Sequence, residues 1–232
     1  MATAFTTRRG GLSRPPYHER NVGHQVGDDP GAVAANRAEL AREVGLPVDR
    51  VVWLNQVHGT RIALMDQAAA GAVPDTDAVI TAVPELALAV LVADCVPVLF
   101  ADPVAGVVGA SHVGRVGAAA GIVPLVLAAM VRLGAEPARL RVVLGPAICG
   151  GCYEVPPELR DEVDSQLPGS ACRTGQGTAG LDLRAGLARQ LVDHGVTEVH
   201  RDSRCTAEDG ELFSYRRDGV TGRQAGLVWL RS

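Results

Sequence analysis

Leu86-Ala87-Leu88-Ala89-Val90-Leu91-Val92-Ala93-Asp94-Cys95-Val96-Pro97-Val98-Leu99-Phe100 is the stretch on which the fold turns. It is apolar nearly throughout and is interrupted only by Asp94 and Cys95. Pro84 stands before it and Asp102-Pro103 makes a turn after it. A short apolar run with such flanks reads as one β-strand buried on both faces. It falls short of the roughly 18 uncharged residues that a membrane helix needs. A strand covered on both sides requires layers above and below it. The expectation is therefore a central buried sheet with helices, α/β or α+β, in a single domain over residues 1–232.

Other elements are read outward from this strand. Asp77 to Val83, Gly106 to Ser111, Arg141 to Leu144, Thr197 to Arg201 and Ala225 to Leu230 are strand candidates, and Val51 to Leu54 is a short β-type run. The polar segment before Gly27 is expected to be irregular, with one early strand. Asp29 as N-cap and Pro30 at the first helical position open a helix that runs to Gly45, with Ala34, Leu40 and Val44 on its inner face. Ala118 to Leu133, kinked at Pro124, and Pro156 to Leu167 and Leu181 to His194 also read as helices. Residues 168–180 read as a glycine-rich loop. No solenoid repeat or low-complexity block is present.

Composition narrows the function. Of 232 residues, 47% are hydrophobic and 21% charged, as in an ordinary globular protein. The net charge of −4 argues against a broadly basic nucleic-acid binder. All basic residues are arginine, which removes Schiff-base and P-loop lysine chemistry. Aromatics at 3% are too few for a base-stacking platform. The start carries two arginines with no apolar stretch behind them, so it does not read as a secretory signal. The expectation is a cytoplasmic protein with no nucleic-acid or membrane partner.

The residues that can carry chemistry stand where apolar runs give way to turns. His58 follows the Val51 run, Cys95 interrupts the central strand beside Asp94, and His112 ends the Gly106 run. Two imidazoles and a thiolate are preferred ligands of zinc or copper, and three ligands with one open position is the pattern of a catalytic zinc. Separations of 37 and 17 residues are too long for a zinc finger, so the fold would have to bring them together. Asp94 is a candidate partner of a ligand or a proton acceptor, with Glu154 as the alternative shuttle. The same types also suit a hydrogen-bonded histidine and a packed cysteine, and residue types alone leave that open. Asn21, Asn55, Gln56, Arg115 and Arg216 are candidates to bind a polar or anionic substrate. Cys149 and Cys152 form a C-x-x-C with no second pair and read as loop packing. Cys172 and Cys205 carry no local signal. Phe213 to Gly219 reads as a solvated hairpin rim.

Taken together, the motifs resemble the YfiH family of laccase-domain, or multicopper polyphenol oxidoreductase, proteins, regarded as purine nucleoside enzymes. The resemblance runs through Phe5-Thr6-Thr7-Arg8-Arg9-Gly10-Gly11, Asn21-Val22-Gly23, Leu54-Asn55-Gln56-Val57-His58-Gly59, Asp75-Thr76-Asp77-Ala78, Ala93-Asp94-Cys95-Val96-Pro97-Val98, Gly145-Pro146-Ala147-Ile148, Cys152-Tyr153-Glu154-Val155, Asp182-Leu183-Arg184 and Phe213-Ser214-Tyr215-Arg216-Arg217-Asp218. It implies a four-layer α/β/β/α fold and a metal held by His58, Cys95 and His112, which with Asp94 are the expected catalytic group. It implies zinc, with copper as the alternative ion. The activity implied is phosphorolysis of adenosine, inosine and methylthioadenosine, with adenosine deamination alongside, by a monomer or small homo-oligomer. The family's HAGWRG motif reads here as His112-Val113-Gly114-Arg115-Val116-Gly117, so arginine takes the tryptophan position and valine the arginine position. Three other readings stand beside this one. They are a Cys–His hydrolase with Cys95 as nucleophile, a copper-dependent polyphenol oxidoreductase, and a degenerate member that only binds a nucleoside or a partner.

Overall fold

The computed structural model describes residues 1–69 and 71–231. In chain order its elements are β1 (Ala2–Phe5), α1 (Pro30–Glu43), β2 (Val51–Val52), β3 (Ile62–Met65), β4 (Ala78–Thr81), β5 (Ala87–Val92), β6 (Val96–Asp102), β7 (Val107–Val113), α2 (Arg115–Ala119) and α3 (Ile122–Val131). They continue with β8 (Arg141–Leu144), α4 (Pro157–Gln166), β9 (Ala171–Arg173), β10 (Ala179–Leu181), α5 (Leu183–Asp193), β11 (Glu198–Arg201), α6 (Tyr215–Asp218) and β12 (Gln224–Trp229).

Two mixed sheets stack face to face. One has the order β1-β12-β5-β2, the other β11-β8-β6-β7-β4-β3, and β9 and β10 pair separately as a hairpin. Side chains alternate across each strand with a period of two, and this assigns them to layers. In β5, Ala87, Ala89 and Leu91 face α1 along with Leu40 and Ala41, while Leu88 and Val90 face the other sheet. In β6, Leu99 and Ala101 fill the space between the sheets, and Val96, Val98 and Phe100 pack against the other helices, where Val126, Met130 and Leu187 meet them. The order of layers is thus α1, small sheet, large sheet, then α2 to α5, the four-layer α/β/β/α arrangement. Truncating a fully buried residue such as Leu99 to alanine would cost about 2–5 kcal/mol.

The sequence reading needs six corrections. Residues 86–100 form two strands in different sheets. The chain turns at Asp94, whose φ of 90° bends the backbone sharply and sends it from the small sheet into the large one. The helix expected over 118–133 is two helices, α2 and α3, divided at Gly121 with φ 76°, and Pro124 lies harmlessly in the first turn of α3. Residues 168–180 contain the β9–β10 hairpin, whose strands are too short to show a pattern. Ala34 is exposed, and Ala32, Val33, Asn36, Leu40 and Ala41 form the inner face of α1. The Phe213–Gly219 segment is no hairpin: Phe213 and Ser214 are fully buried, Ser214 caps α6 by accepting from the Arg217 N–H, and only Tyr215 to Gly219 are exposed. Strand β3 was not expected at all.

The remaining elements fall within a few residues of their expected bounds. Asp29 caps α1 as expected, its carboxylate accepting from Gly31 N, with Pro30 in the first turn. Among the described residues, no helix is long and apolar enough to cross a membrane.

Candidate metal centre

Strand register brings the three expected ligands together. β4 and β7 are antiparallel with Ala78 opposite Ser111, which places Asp77 beside His112 at the ends of the two strands. β6 and β7 are antiparallel with Val96 opposite Val113, which places Cys95 beside Gly114. His58 lies between β2 and β3, and Cys95 between β5 and β6. Both therefore stand where the chain passes from the small sheet to the large one. The donor atoms of His58, Cys95 and His112 all lie within 4.8 Å of one another. His58 Nε2 is 3.9 Å from Cys95 Sγ, and the two imidazole rings meet edge to face at 4.7 Å.

Asp77, which the sequence shows only as the head of a strand candidate, organises this trio. Its fully buried carboxylate accepts from the backbone N–H groups of Val57, His58 and Gly59 at 3.1, 3.0 and 2.7 Å, and from His112 Nδ1 at 2.8 Å. It thus holds the loop that carries His58, whose φ is 61°, and leaves His112 Nε2 to face the other donors. A carboxylate on the far nitrogen of a ligand histidine fixes its orientation and raises its basicity. The signal available in the sequence was an acidic residue at the head of an apolar strand.

Charge is focused at the same point. Burial by itself would push the Cys95 thiol up, but the charge and hydrogen bonds of His112 and His58 outweigh it and pull the thiol down to about 6. Burial likewise disfavours a charged His112, yet the Cys95 sulfur and Asp77 raise it to about 9. Each group thus favours the charged form of the other, the sulfur as thiolate and the imidazole as imidazolium. The donors fit a soft or borderline cation, and the space beside them is kept open by Gly114. A Cβ there would meet His58 Cδ2 at 2.7 Å and Cys95 Sγ at 3.2 Å.

The trio stands in a cavity of about 540 Å³, within the roughly 300–1,000 Å³ typical of small-molecule sites. Its wall includes Arg115, Arg216, Arg223, Tyr153, Tyr215 and Ile148. Arg216 donates to Glu154 O at 2.9 Å and lies 5.0 Å over the Tyr153 ring. Burial pushes the Tyr153 hydroxyl up, against an opposite pull from Arg115 and Arg216. Arg115 faces the cavity at the start of α2 while its neighbour Val116 is exposed.

The other expected site residues divide. Gln56 reaches the cavity, but its amide bridges to the backbone of Leu91, donating to the carbonyl at 2.8 Å and accepting from the N–H at 2.7 Å. Asp94 also lines the cavity, yet its two oxygens accept from Thr206 Oγ1 at 2.6 Å and Arg216 N at 2.7 Å. The hydrogen bond to a ligand histidine that the sequence suggested for Asp94 is made by Asp77. Asn21 is buried and builds the wall from behind, accepting from the N–H groups of Gly23 and Arg223. Asn55 accepts from Gln25, and it is Gln25 that reaches the cavity. Glu154 lines a separate surface hollow. Gln25, Tyr153, Tyr215 and Arg223 are wall residues that sequence reading did not single out.

A family model described as multi-copper polyphenol oxidoreductase laccase matches residues 2–231. The chain belongs to this laccase family. A family relative from Mycobacterium tuberculosis, named purine nucleoside phosphorylase, is 56% identical over 225 residues, covering 97% of this chain and 90% of the relative. Another of that name from Streptomyces griseus is 55% identical over 229 residues, covering 98% and 93%. The crystal structure of YlmD from Geobacillus stearothermophilus matches with a TM-score of 0.92 at 35% identity, covering 100% of this chain and 92% of that one. Bacillus licheniformis YfiH matches with a TM-score of 0.91 at 34% identity, covering 99% and 92%. The resemblance to YfiH proteins and the four-layer fold expected from it both hold for this laccase-family chain.

Proposed function

We propose that the cavity is the active site of a purine nucleoside phosphorylase that acts on adenosine, inosine and methylthioadenosine and also deaminates adenosine. The observation that carries this reading is the convergence in one cavity of a His–Cys–His donor set with three arginines. The names borne by relatives more than half identical to this chain point the same way.

His58, Cys95 and His112 would hold zinc, to which two imidazoles and a thiolate are well suited. When bound, zinc supplies Lewis-acid stabilisation of charge that develops on a reacting oxygen. Against the three arginines stands one carboxylate of the cavity wall, Asp94, so the cavity favours an anion. Arg115, Arg216 and Arg223 would bind and orient phosphate, since a guanidinium matches its oxygens two at a time. Tyr153, Tyr215, Leu91 and Ile148 offer an apolar wall to the purine. Asp94 fixes the backbone of Arg216 and so steadies that anion site. Asp77 keeps both histidines aimed inward.

The test uses untagged protein, elemental analysis, and chromatography of adenosine incubated with phosphate. Cys95→Ala is expected to hold about one zinc ion fewer per chain and to release no adenine, hypoxanthine or inosine above background. Product formation by Cys95→Ala at the wild-type rate overturns the proposal. Copper in place of zinc in the wild-type protein would overturn the choice of metal.

A further inference from the structure

All five cysteines are free thiols, and Cys95 belongs to the centre described above. Cys149, Cys152 and Cys205 meet Glu208 elsewhere, and the four donor atoms lie within 4.8 Å of one another. We propose that these four residues form a second metal site, a closed zinc centre of three thiolates and one carboxylate, which fastens together two loops of the cavity wall. This inference does not rest on the phosphorylase reading.

Chain geometry assembles the cluster from two directions. Cys149-Gly150-Gly151-Cys152 is one tight turn, in which the N–H groups of Cys152 and Tyr153 both donate to Cys149 O at 3.0 Å. Gly150 is required there, because a Cβ would meet Cys172 Sγ at 2.8 Å and Asp182 Cβ at 3.0 Å. Cys205 arrives from the far side of β11, where it forms a parallel bridge with Ala147. The N–H of Cys149 then donates to Cys205 Sγ at 3.3 Å. Glu208 follows within one turn, its N–H donating to Cys205 O, and its carboxylate reaches Cys152 Sγ at 3.3 Å.

The donor set argues for a cation. A disulfide would use two of the three sulfurs and strand the third beside a carboxylate. Zinc uses all four groups. Its bonds of about 2.3 Å to sulfur and 2.0–2.2 Å to oxygen set tetrahedral donors roughly 3.5–3.8 Å apart. The observed spacing needs only small side-chain turns to reach that. Ligation by four protein groups leaves no open position, which is the pattern of a structural zinc. Each ligating thiol would release its proton to solvent as the metal binds.

The location gives the site a purpose. Ile148 and Tyr153, on either side of the C-x-x-C turn, line the cavity. Thr206, next to Cys205, donates to Asp94, and Arg217 ties α6 to this loop through Thr206 O at 2.9 Å and Asp209 O at 3.0 Å. A zinc ion here would hold Tyr153 and the Arg216 helix in fixed relation.

The test starts from untagged Cys95→Ala protein, so that the first centre cannot contribute. It is stripped with a chelator under reducing conditions, reloaded with zinc or cobalt(II), desalted and analysed. We expect about one zinc ion per chain, a higher thermal midpoint with zinc than without, and thiolate-to-cobalt absorption. Adding Cys152→Ser should abolish all three. Adding Glu208→Gln instead, at an exposed position tolerant of change, should weaken zinc binding by about tenfold or more, and it decides the matter if the cysteine variant does not fold. Three results overturn the site: no zinc taken up by Cys95→Ala, zinc binding unchanged by Glu208→Gln, or a Cys149–Cys152 disulfide in the zinc-loaded protein by mass spectrometry.

Discussion

Replacing Asp77 with asparagine keeps its volume and removes its charge. Oδ1 accepts from His58 N and His112 Nδ1, and Oδ2 from Val57 N and Gly59 N. With the amide oxygen kept toward His58 N and His112 Nδ1, the NH₂ faces Val57 N and Gly59 N, and two hydrogen bonds to a carboxylate are lost. Such bonds contribute about 1.5–3 kcal/mol each. Water can reach the Val57–Gly59 loop and offset part of the loss, so a net destabilisation of about 2–4 kcal/mol is expected. At about 2–4 °C per kcal/mol for a chain of this size, the thermal midpoint should fall by about 5–15 °C. His112 also loses the charged partner that orients it, and zinc affinity should drop about 10–100-fold. Urea unfolding of metal-free protein measures the first effect and competition with a chelating dye the second, with the exposed Asp66→Asn as control. If metal-free Asp77→Asn unfolds within about 0.5 kcal/mol of wild type and binds zinc equally well, the buried carboxylate does not organise the site.

Three more outcomes are expected. Gly114→Ala should push the His58 ring aside, leave the thermal midpoint nearly unchanged, and lower turnover about a hundredfold, as a displacement near 1 Å does; unchanged turnover contradicts the close packing. Arg115→Ala should raise KM for phosphate more than it lowers kcat, while Val116→Arg, which faces solvent, should change neither; the reverse pattern would mean that phosphate is held elsewhere. Burial disfavours a charged Asp102, but the N–H groups of Ala105, Glu136 and Val104 and the Arg139 guanidinium hold its carboxyl below the usual carboxylate range. Its contribution is therefore full above the unfolded value of about 4 and is lost as pH falls through the lower folded value. Asp102→Asn should accordingly be less stable than wild type at pH 7 and converge with it in acid, and urea midpoints that stay equally far apart at low pH would refute this.

What the sequence made legible follows from how each element buries its side chains. The strands and the α1 cap could be read because apolar runs and Asp29-Pro30 are local signals. The break at Asp94 could not. β5 and β6 are each covered on both faces, so neither alternates in polarity, and nothing in Ala93-Asp94-Cys95 shows that its two sides enter different sheets. His58, Cys95 and His112 stood out as polar groups at the ends of apolar runs. Asp77 did not, because its importance lies in three backbone N–H groups that have no letter in the sequence. The C-x-x-C looked unpartnered because its third sulfur comes from Cys205, brought alongside by a bridge to Ala147 that only the fold supplies.

Two of the three ligands ride on segments that leave one sheet and enter the other, while the third belongs wholly to the large sheet. The spacing of the donors is therefore a ruler for the alignment of two stacked layers. A lateral slip between them, caused by a repacked residue deep in the interior, would be registered in the cavity as a change in grip on the ion.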